Sequence, residues 1–227
     1  MIDKNLTAVI LCGGKGTRFN INKDKNKKIL KPLVNINGKT ILERIINIYK
    51  QNGVNNFILL GGYKINDLKI FVKKNLKNIN VKLINTGLNT ETGGRLMLAK
   101  KIIPKGIFLF TYGDSITNFK FSKALKLKKK NNFIMSYFNY NFQYGVLNSA
   151  NKKLKGITEK NYFIPINAGF YILDDSIFKF IKNKHDSFEK KVLPKVIKSS
   201  YKIKLSKVTK WYPMDNLNDK KNMELNL

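Results

Sequence analysis

The chain has 227 residues, a formal net charge of +30, one cysteine and one histidine. That length is ample for a packed core, while the single Cys12 excludes an internal disulfide framework and the single His185 argues against hydrolases built on a histidine triad. The charge alone suggests nucleic acid or an anionic surface, but the lysines are spread along the whole chain among asparagines and isoleucines, which reads as compositional bias rather than a basic face.

Ala8 to Leu11 is an apolar run suited to a central parallel strand covered on both faces. Cys12 ends it as a packing residue. Gly13, Gly14 and Gly16 then free the backbone to turn inward, so that successive N–H groups can form an anion-binding nest. Thr17 adds a hydroxyl and Arg18 a planar guanidinium fork suited to phosphate oxygens. A P-loop is excluded because Lys15 is followed by Gly16. The dinucleotide fingerprint is excluded because Phe19 stands where a third glycine is needed, and no acidic residue follows at the ribose-binding distance. A di- or triphosphate is the expected ligand.

Residues 20 to 28 form a polar, lysine-rich loop with the character of a lid. Lys31 follows, its backbone held extended by Pro32. Thr40 to Gln51 has helical periodicity, with Ile41, Leu42, Ile45, Ile46 and Tyr49 on one side. Strands are expected at Phe57 to Leu60 and Val81 to Ile84, with a helix from Asn66 to Leu76 between them. This alternation implies a parallel sheet with ligands bound beyond the carboxyl ends of its strands. Thr92-Gly93-Gly94 leads into a helix expected from Arg95 to Lys101. A glycine pair there lets a flat base lie against backbone. Ile107 to Tyr112 is a further buried strand, and Asp114 just past it is placed for a divalent cation. A helix is expected from Ser122 to Lys130, capped by Asn118 or Ser122.

Beyond residue 130 the pattern turns antiparallel. Strands are expected at Phe133 to Tyr140, from Tyr144, at Leu154 to Thr158 and at Ile166 to Leu173, with a hairpin turn over residues 148 to 153. Asn167 can both donate and accept, which suits recognition of hydroxyl groups. Helices follow at Asp175 to Asn183 and Phe188 to Ile197, the second interrupted at Pro194, then a strand at Ile203 to Ser206 and a closing helix from Asn218. His185 falls between two helices, away from every motif. With no leader-like apolar run and no stretch approaching the roughly 20 residues of a membrane helix, a cytoplasmic protein without membrane insertion is expected.

Leu11-Cys12-Gly13-Gly14-Lys15-Gly16-Thr17-Arg18 with Lys31-Pro32-Leu33 resembles the signature of the sugar-phosphate nucleotidyltransferases. Thr92 to Leu96, Phe110 to Asp114 and Trp211-Tyr212-Pro213-Met214-Asp215 narrow the resemblance to the cytidylyltransferases that act on glucose 1-phosphate. It runs in one order from about Ala8 to Met223. It implies an α/β, Rossmann-like fold with a mixed, mainly parallel sheet and a smaller antiparallel sugar-binding portion. The whole chain would be one such domain, with a nucleotide half to about residue 130 and a sugar-phosphate half after it. The implied substrates are a nucleoside triphosphate, CTP, and a sugar 1-phosphate, glucose 1-phosphate. Mg²⁺ is the implied cofactor, held by Asp114 and Asp215, and a homo-oligomer the implied assembly.

By the same resemblance Leu11, Gly13, Gly14, Gly16, Thr17, Thr92, Gly93, Gly94 and Arg95 bind the nucleotide. Arg18, Lys31 and Lys160 neutralise phosphate charge during the reaction. Tyr144, Gly145, Glu159, Lys160, Asn167 and Gly169 bind the sugar phosphate. The chain departs from the family pattern at Ile29 and Leu30, where a second Lys-Pro is common, and at Asn161, where proline is usual. Two other readings stand beside this one: the same chemistry with UTP, dTTP or another phosphorylated sugar or polyol, and a basic nucleic-acid-binding protein on the same scaffold.

Overall fold

A computed structural model describes residues 6–19, 28–142, 144–158 and 162–227. The first half carries β1 (Thr7–Leu11), β2 (Asn35–Ile36), β3 (Lys39–Thr40), α1 (Ile41–Gln51), β4 (Asn56–Gly61), α2 (Ile65–Asn75), β5 (Asn80–Asn85), α3 (Thr92–Leu98) and β6 (Ile107–Tyr112). There follow β7 (Ser115–Thr117), α4 (Phe121–Leu125), β8 (Asn132–Phe142), β9 (Val146–Ala150), β10 (Lys153–Thr158) and β11 (Tyr162–Asp174). The chain closes with α5 (Leu193–Ile197), β12 (Lys202–Val208), β13 (Trp211–Pro213) and α6 (Leu217–Asn226).

Seven strands make one sheet in the order β12-β8-β11-β6-β1-β4-β5. β1 runs parallel to β4 and β6, and β4 to β5. Only β11 is inverted, pairing antiparallel with β6 and β8, while β12 is parallel to β8. The fold is thus the α/β, mainly parallel arrangement that the sequence leads one to expect.

The pleat explains why β1 had to be apolar throughout. Ala8 and Ile10 face a core that includes Ile41, Ile45 and Tyr49 of α1. Val9 and Leu11 face the opposite core, with Phe110 and Phe188. Both faces are covered, so every side chain of the strand is buried. The amphipathic stripe of α1 is the expected one, and Thr40 with Glu43 closes a capping box at its start.

Several boundaries differ from expectation. α3 begins at Thr92, inside the glycine loop, and ends at Leu98. The helix expected from Ser122 to Lys130 is the five-residue α4, and no side chain caps it. Asn118 instead ties down the connection between β12 and β13, accepting from the N–H groups of Thr209 and Lys210 at 3.1 and 3.0 Å. The helical run expected over Phe188 to Ile197 is present and divided just before Pro194: one π-helical turn from Phe188 to Val192 leads into α5, where the proline sits in the first turn. Among the described residues β9 and β10 pair only with each other, and every residue of both is exposed. Among the described residues no helix is long and apolar enough to cross a membrane.

Candidate active site

The strand ends of β1 and β6 open onto a cleft of about 680 Å³. Its walls include the loop from Gly13 to Arg18, then Lys31, Asp114, the segment Leu88 to Thr92, and Glu189. Leu11, Gly13, Gly14, Gly16 and Thr17 all border it, as the nest reading requires. Gly14 has open space on the side where a Cβ would stand, and Gly16 adopts a φ of +57°, so the loop backbone faces the cleft unobstructed. Cys12 is buried beneath it, and burial pushes its thiol pKa up, consistent with packing rather than reactivity.

Asp114 lines the cleft, and Asp215, 101 positions later in sequence, is brought beside it. The three-residue strands β7 and β13 bring them together: Pro213 pairs with Ser115, and the N–H of Met214 donates to Asp114 O at 2.8 Å. Lys31 stands between the two carboxylates. Its Nζ lies 2.7 Å from Asp215 Oδ1 and 3.6 Å from Asp114 Oδ2. Arg18 reaches the same Asp215 oxygen at 3.0 Å. Burial raises the Asp114 pKa above the usual carboxylate value; Lys31 opposes that shift and Asp215 adds to it. Magnesium typically takes one or two carboxylates and completes its shell with phosphate oxygens and water. This acidic pair fits that donor set in number and kind. Among the described residues no group of three or more His, Cys, Asp or Glu side chains offers a metal site.

The glycine pair after Thr92 packs against the protein's own backbone on the side where side chains would stand. A Cβ on Gly93 would lie 2.7 Å from Asp186 O, and one on Gly94 would collide with the Lys184 backbone. The pair is therefore occupied by the protein's own segment 184–192, which Glu91 and Gly94 hold through N–H bonds to Lys184 O and Asp186 O at 2.9 and 3.0 Å. Thr92 does line the cleft, and its hydroxyl is engaged with Glu189 and the Phe188 N–H. Arg95 borders the cleft from below. Its guanidinium donates to the carbonyls of Gly13, Gly61 and Gly87, each at 3.0 Å, and to Thr86 Oγ1. It locks the phosphate loop to the ends of β4 and β5.

This packing carries two unexpected residues into the cleft. His185, expected to lie away from every motif, lines the rim. Glu189 lines the wall and accepts from Tyr112, from Thr92 at 3.0 Å and from Ser187 at 2.9 Å. No local pattern marks either; both arrive through long-range contacts that begin at Gly93 and Gly94.

A second cavity of about 190 Å³ adjoins the first, and the two share Arg18, Tyr112 and Asp114 as walls. Asn167 and Gly169 line it, with Trp211 and Asp215 opposite. Asn167 pairs with Tyr137 and Tyr171 with Met135, so four steps along β11 span two along β8. This bulge takes Ala168 to Phe170 out of register with β8, at the point where Asn167, Ala168 and Gly169 line the cavity. Gly169 makes it possible with a φ of +81°, and a Cβ there would meet the Tyr112 ring at 2.9 Å. Tyr144 and Gly145 are not brought here: they precede the exposed β9–β10 ribbon, Tyr144 is 76% exposed, and neither lines this cavity. Glu159, Lys160 and the expected lid over residues 20–27 lie outside the described residues.

A phosphate-ready loop, an acidic pair bridged by lysine and two adjoining cavities at the carboxyl end of a mainly parallel sheet define a nucleotide-handling transferase. The family model described as nucleotidyl transferase matches residues 7–215, and the chain belongs to that family. It is 32% identical over 218 residues to the "Probable glucose-1-phosphate cytidylyltransferase" of Bacillus subtilis (strain 168), covering 85% of each chain. It is 30% identical over 188 residues to the D-glycero-alpha-D-manno-heptose 1-phosphate guanylyltransferase of Campylobacter jejuni, covering 81% of this chain and 83% of that one. The crystal structure of HddC from Yersinia pseudotuberculosis complexed with GMP-PN superposes with a TM-score of 0.76 at 27% identity, covering 97% of this chain and 99% of that chain. The chain is an enzyme of the sugar-1-phosphate nucleotidyltransferase class.

Proposed function

We propose that the enzyme joins CTP to glucose 1-phosphate, giving CDP-glucose and pyrophosphate. The observation that supports the transfer chemistry is Lys31, which lines the larger cavity with its ammonium between Asp114 and Asp215. The larger cavity takes the triphosphate and the smaller one the sugar phosphate. An oxygen of the sugar phosphate attacks the α-phosphorus, the bond to the β-phosphate oxygen breaks, and pyrophosphate leaves in line. The nucleophile is already anionic, so no general base is needed. Catalysis is positioning and charge neutralisation. The Gly13 to Thr17 amides and Arg18 hold the leaving phosphates. Lys31 offsets repulsion between the two anionic substrates, and Lys160 is assigned to the sugar phosphate by resemblance. Mg²⁺, when bound by Asp114 and Asp215, supplies further neutralisation of the nucleotide phosphates.

Similarity to the Bacillus cytidylyltransferase supports CTP. A guanylyl reading with a heptose 1-phosphate is favoured by the Campylobacter relative and by the GMP-PN complex of the Yersinia protein. The test is pyrophosphate release with Mg²⁺ across CTP, GTP, UTP, ATP and dTTP against a panel of sugar 1-phosphates. Release with CTP and glucose 1-phosphate is the expected result. Release with GTP and a heptose 1-phosphate alone would replace the substrates and keep the mechanism.

A further inference from the structure

A line of hydrogen bonds connects the two cavities behind their shared wall. Asn167 Nδ2 donates to the Tyr171 hydroxyl, Tyr171 and Tyr112 hydroxyls lie 3.1 Å apart, and Tyr112 donates to Glu189 Oε1. The ends of this line fix its direction. A carboxylate oxygen can only accept, so Tyr112 must give its proton to Glu189. Tyr112 is then free to accept only, so Tyr171 must give its proton to Tyr112. Tyr171 is left accepting, and what it accepts is an N–H of Asn167. At the far end the Gly169 N–H donates to Asn167 Oδ1 at 2.9 Å, which sets the same amide orientation independently. Burial foremost, together with the neighbouring Glu189 charge, raises the pKa of both tyrosines, so neither loses its proton near neutral pH.

Asn167 lines the smaller cavity, Glu189 lines the larger one, and Tyr171 lines neither. Tyr171 is 1% exposed. Both Glu189 oxygens are already engaged, Oε1 by Tyr112 and Oε2 by Thr92 and Ser187. A carboxylate so committed is shaped to orient other groups.

We propose that Glu189 is a positioning residue for the smaller cavity: acting through Tyr112 and Tyr171, it holds the Asn167 amide so that its second N–H faces the sugar phosphate. The acceptor is therefore recognised there by an oxygen that takes a hydrogen bond, a hydroxyl or phosphate oxygen. This rests on the reading that the smaller cavity receives the acceptor. Glu189→Gln sets the two anchors against each other. In the glutamine the amide oxygen goes to the two hydroxyl donors, Thr92 and Ser187, so its N–H faces Tyr112, the line runs backwards, and Tyr171 offers a proton where Gly169 has fixed an N–H. Tyr171→Phe removes the link outright without altering the lining of either cavity.

The sole tryptophan of the chain, Trp211, lines the smaller cavity. Its fluorescence can follow titration with α-D-glucose 1-phosphate directly, without turnover, while calorimetry follows CTP. Loss of one oriented hydrogen bond should weaken the glucose 1-phosphate Kd about tenfold in Tyr171→Phe and in Glu189→Gln. The double variant should be no weaker than either single one, because both break the same line. The CTP Kd should not change in Tyr171→Phe. A merely structural role would lower the melting temperature and weaken both ligands together, and that result overturns the proposal. An unchanged glucose 1-phosphate Kd in Tyr171→Phe, or additive losses in the double variant, overturns it as well. If the wild type gives no saturable Trp211 response to any sugar 1-phosphate of the panel, the acceptor reading of the cavity fails, and the relay falls with it. A wild-type response that Tyr171→Phe leaves intact removes the relay alone.

Discussion

Asp114 and Asp186 are two aspartates in opposite circumstances. Asp186 is 3% exposed, accepts the Lys182 N–H at 2.8 Å and pairs with Lys195 at 3.2 Å and Lys191 at 3.8 Å. Its pKa is lowered, first by the Lys182 N–H bond and then, against the cost of burial, by Lys195 and Lys191. Asp114 lies on the cleft floor with Lys31 only partly opposing burial, and a second carboxylate beside it raises its pKa further. One carboxylate is fully answered by the fold and anchors segment 182–192. The other is left under-compensated where, on the function proposed above, a cation and phosphates bind. The scaffold resolves its charges; the site keeps one unresolved for a ligand to complete.

The sharpest way to break that contrast is to remove the two charged groups beside Asp114, the lysine that opposes its shift and the carboxylate that adds to it. Lys31→Ala and Asp215→Ala should each lower turnover by about 10³, the scale of a lost electrostatic contact to the transition state. Pyrophosphate release at saturating substrates checks this, and a Lys31→Ala enzyme of normal activity would remove that residue from the mechanism. The fold should survive both changes, because neither side chain belongs to the two apolar cores.

Removing the scaffold's aspartate should act on stability instead. Asp186→Ala leaves the Lys182 N–H without its carboxylate, leaves Lys195 with the Phe180 carbonyl at 3.2 Å and loosens the loop that packs on Gly94; losing hydrogen bonds to a buried carboxylate costs about 2 kcal/mol. Urea unfolding at neutral pH reads it. The sign follows from the lowered folded-state pKa: Asp186 stabilises above the unfolded carboxylate pKa, and the contribution is lost as pH falls through the folded value. Variant and wild type should therefore converge in acid.

Asp114→Asn should run the other way. With the folded-state pKa raised, the carboxyl favours the fold below the unfolded carboxylate pKa, and that contribution is lost as pH rises through the folded value. In the metal-free, substrate-free protein the substitution should raise the melting temperature at neutral pH and lose that advantage on acidification, while turnover collapses. A drop in melting temperature at neutral pH would mean that Lys31 already compensates Asp114 fully, and the contrast with Asp186 would dissolve.

What was legible in the sequence follows the range of the interactions. The phosphate loop and Asp114 each sit at the end of an apolar strand, so local pattern and topology place them together. The βα alternation gave the sheet for the same reason. Asp215 was found by resemblance, since the strand that delivers it, β13, is three residues long and leaves no periodicity to read. Gly93 and Gly94 offer chain-local reasoning only their missing side chains, so the sequence suggests a seat for a base and is silent on what packs there. The occupant is residues 184–188, some 90 positions later, and nothing near the glycines announces it. The bulge at Ala168 to Phe170 is similarly invisible, because it is a mismatch between two strands and not a property of one.

His185 tests the smallest consequence of that missed packing. The structure seats it on the cleft rim, and position alone would suggest a part in nucleotide binding. Its geometry argues for a minor one. The residue is exposed, and the bond that fixes its backbone is local, from its N–H to Asn183 Oδ1 at 2.8 Å. It makes no contact with Asp114, Lys31 or Asp215 in the described hydrogen bonds and ion pairs. An exposed side chain of this kind contributes within about 0.5 kcal/mol, so His185→Ala should shift the CTP Kd by about twofold and leave saturated turnover unchanged. A loss of tenfold or more in turnover would place the imidazole among the reacting groups, and the chemistry would then need a proton carrier that attack by an anionic phosphate does not call for.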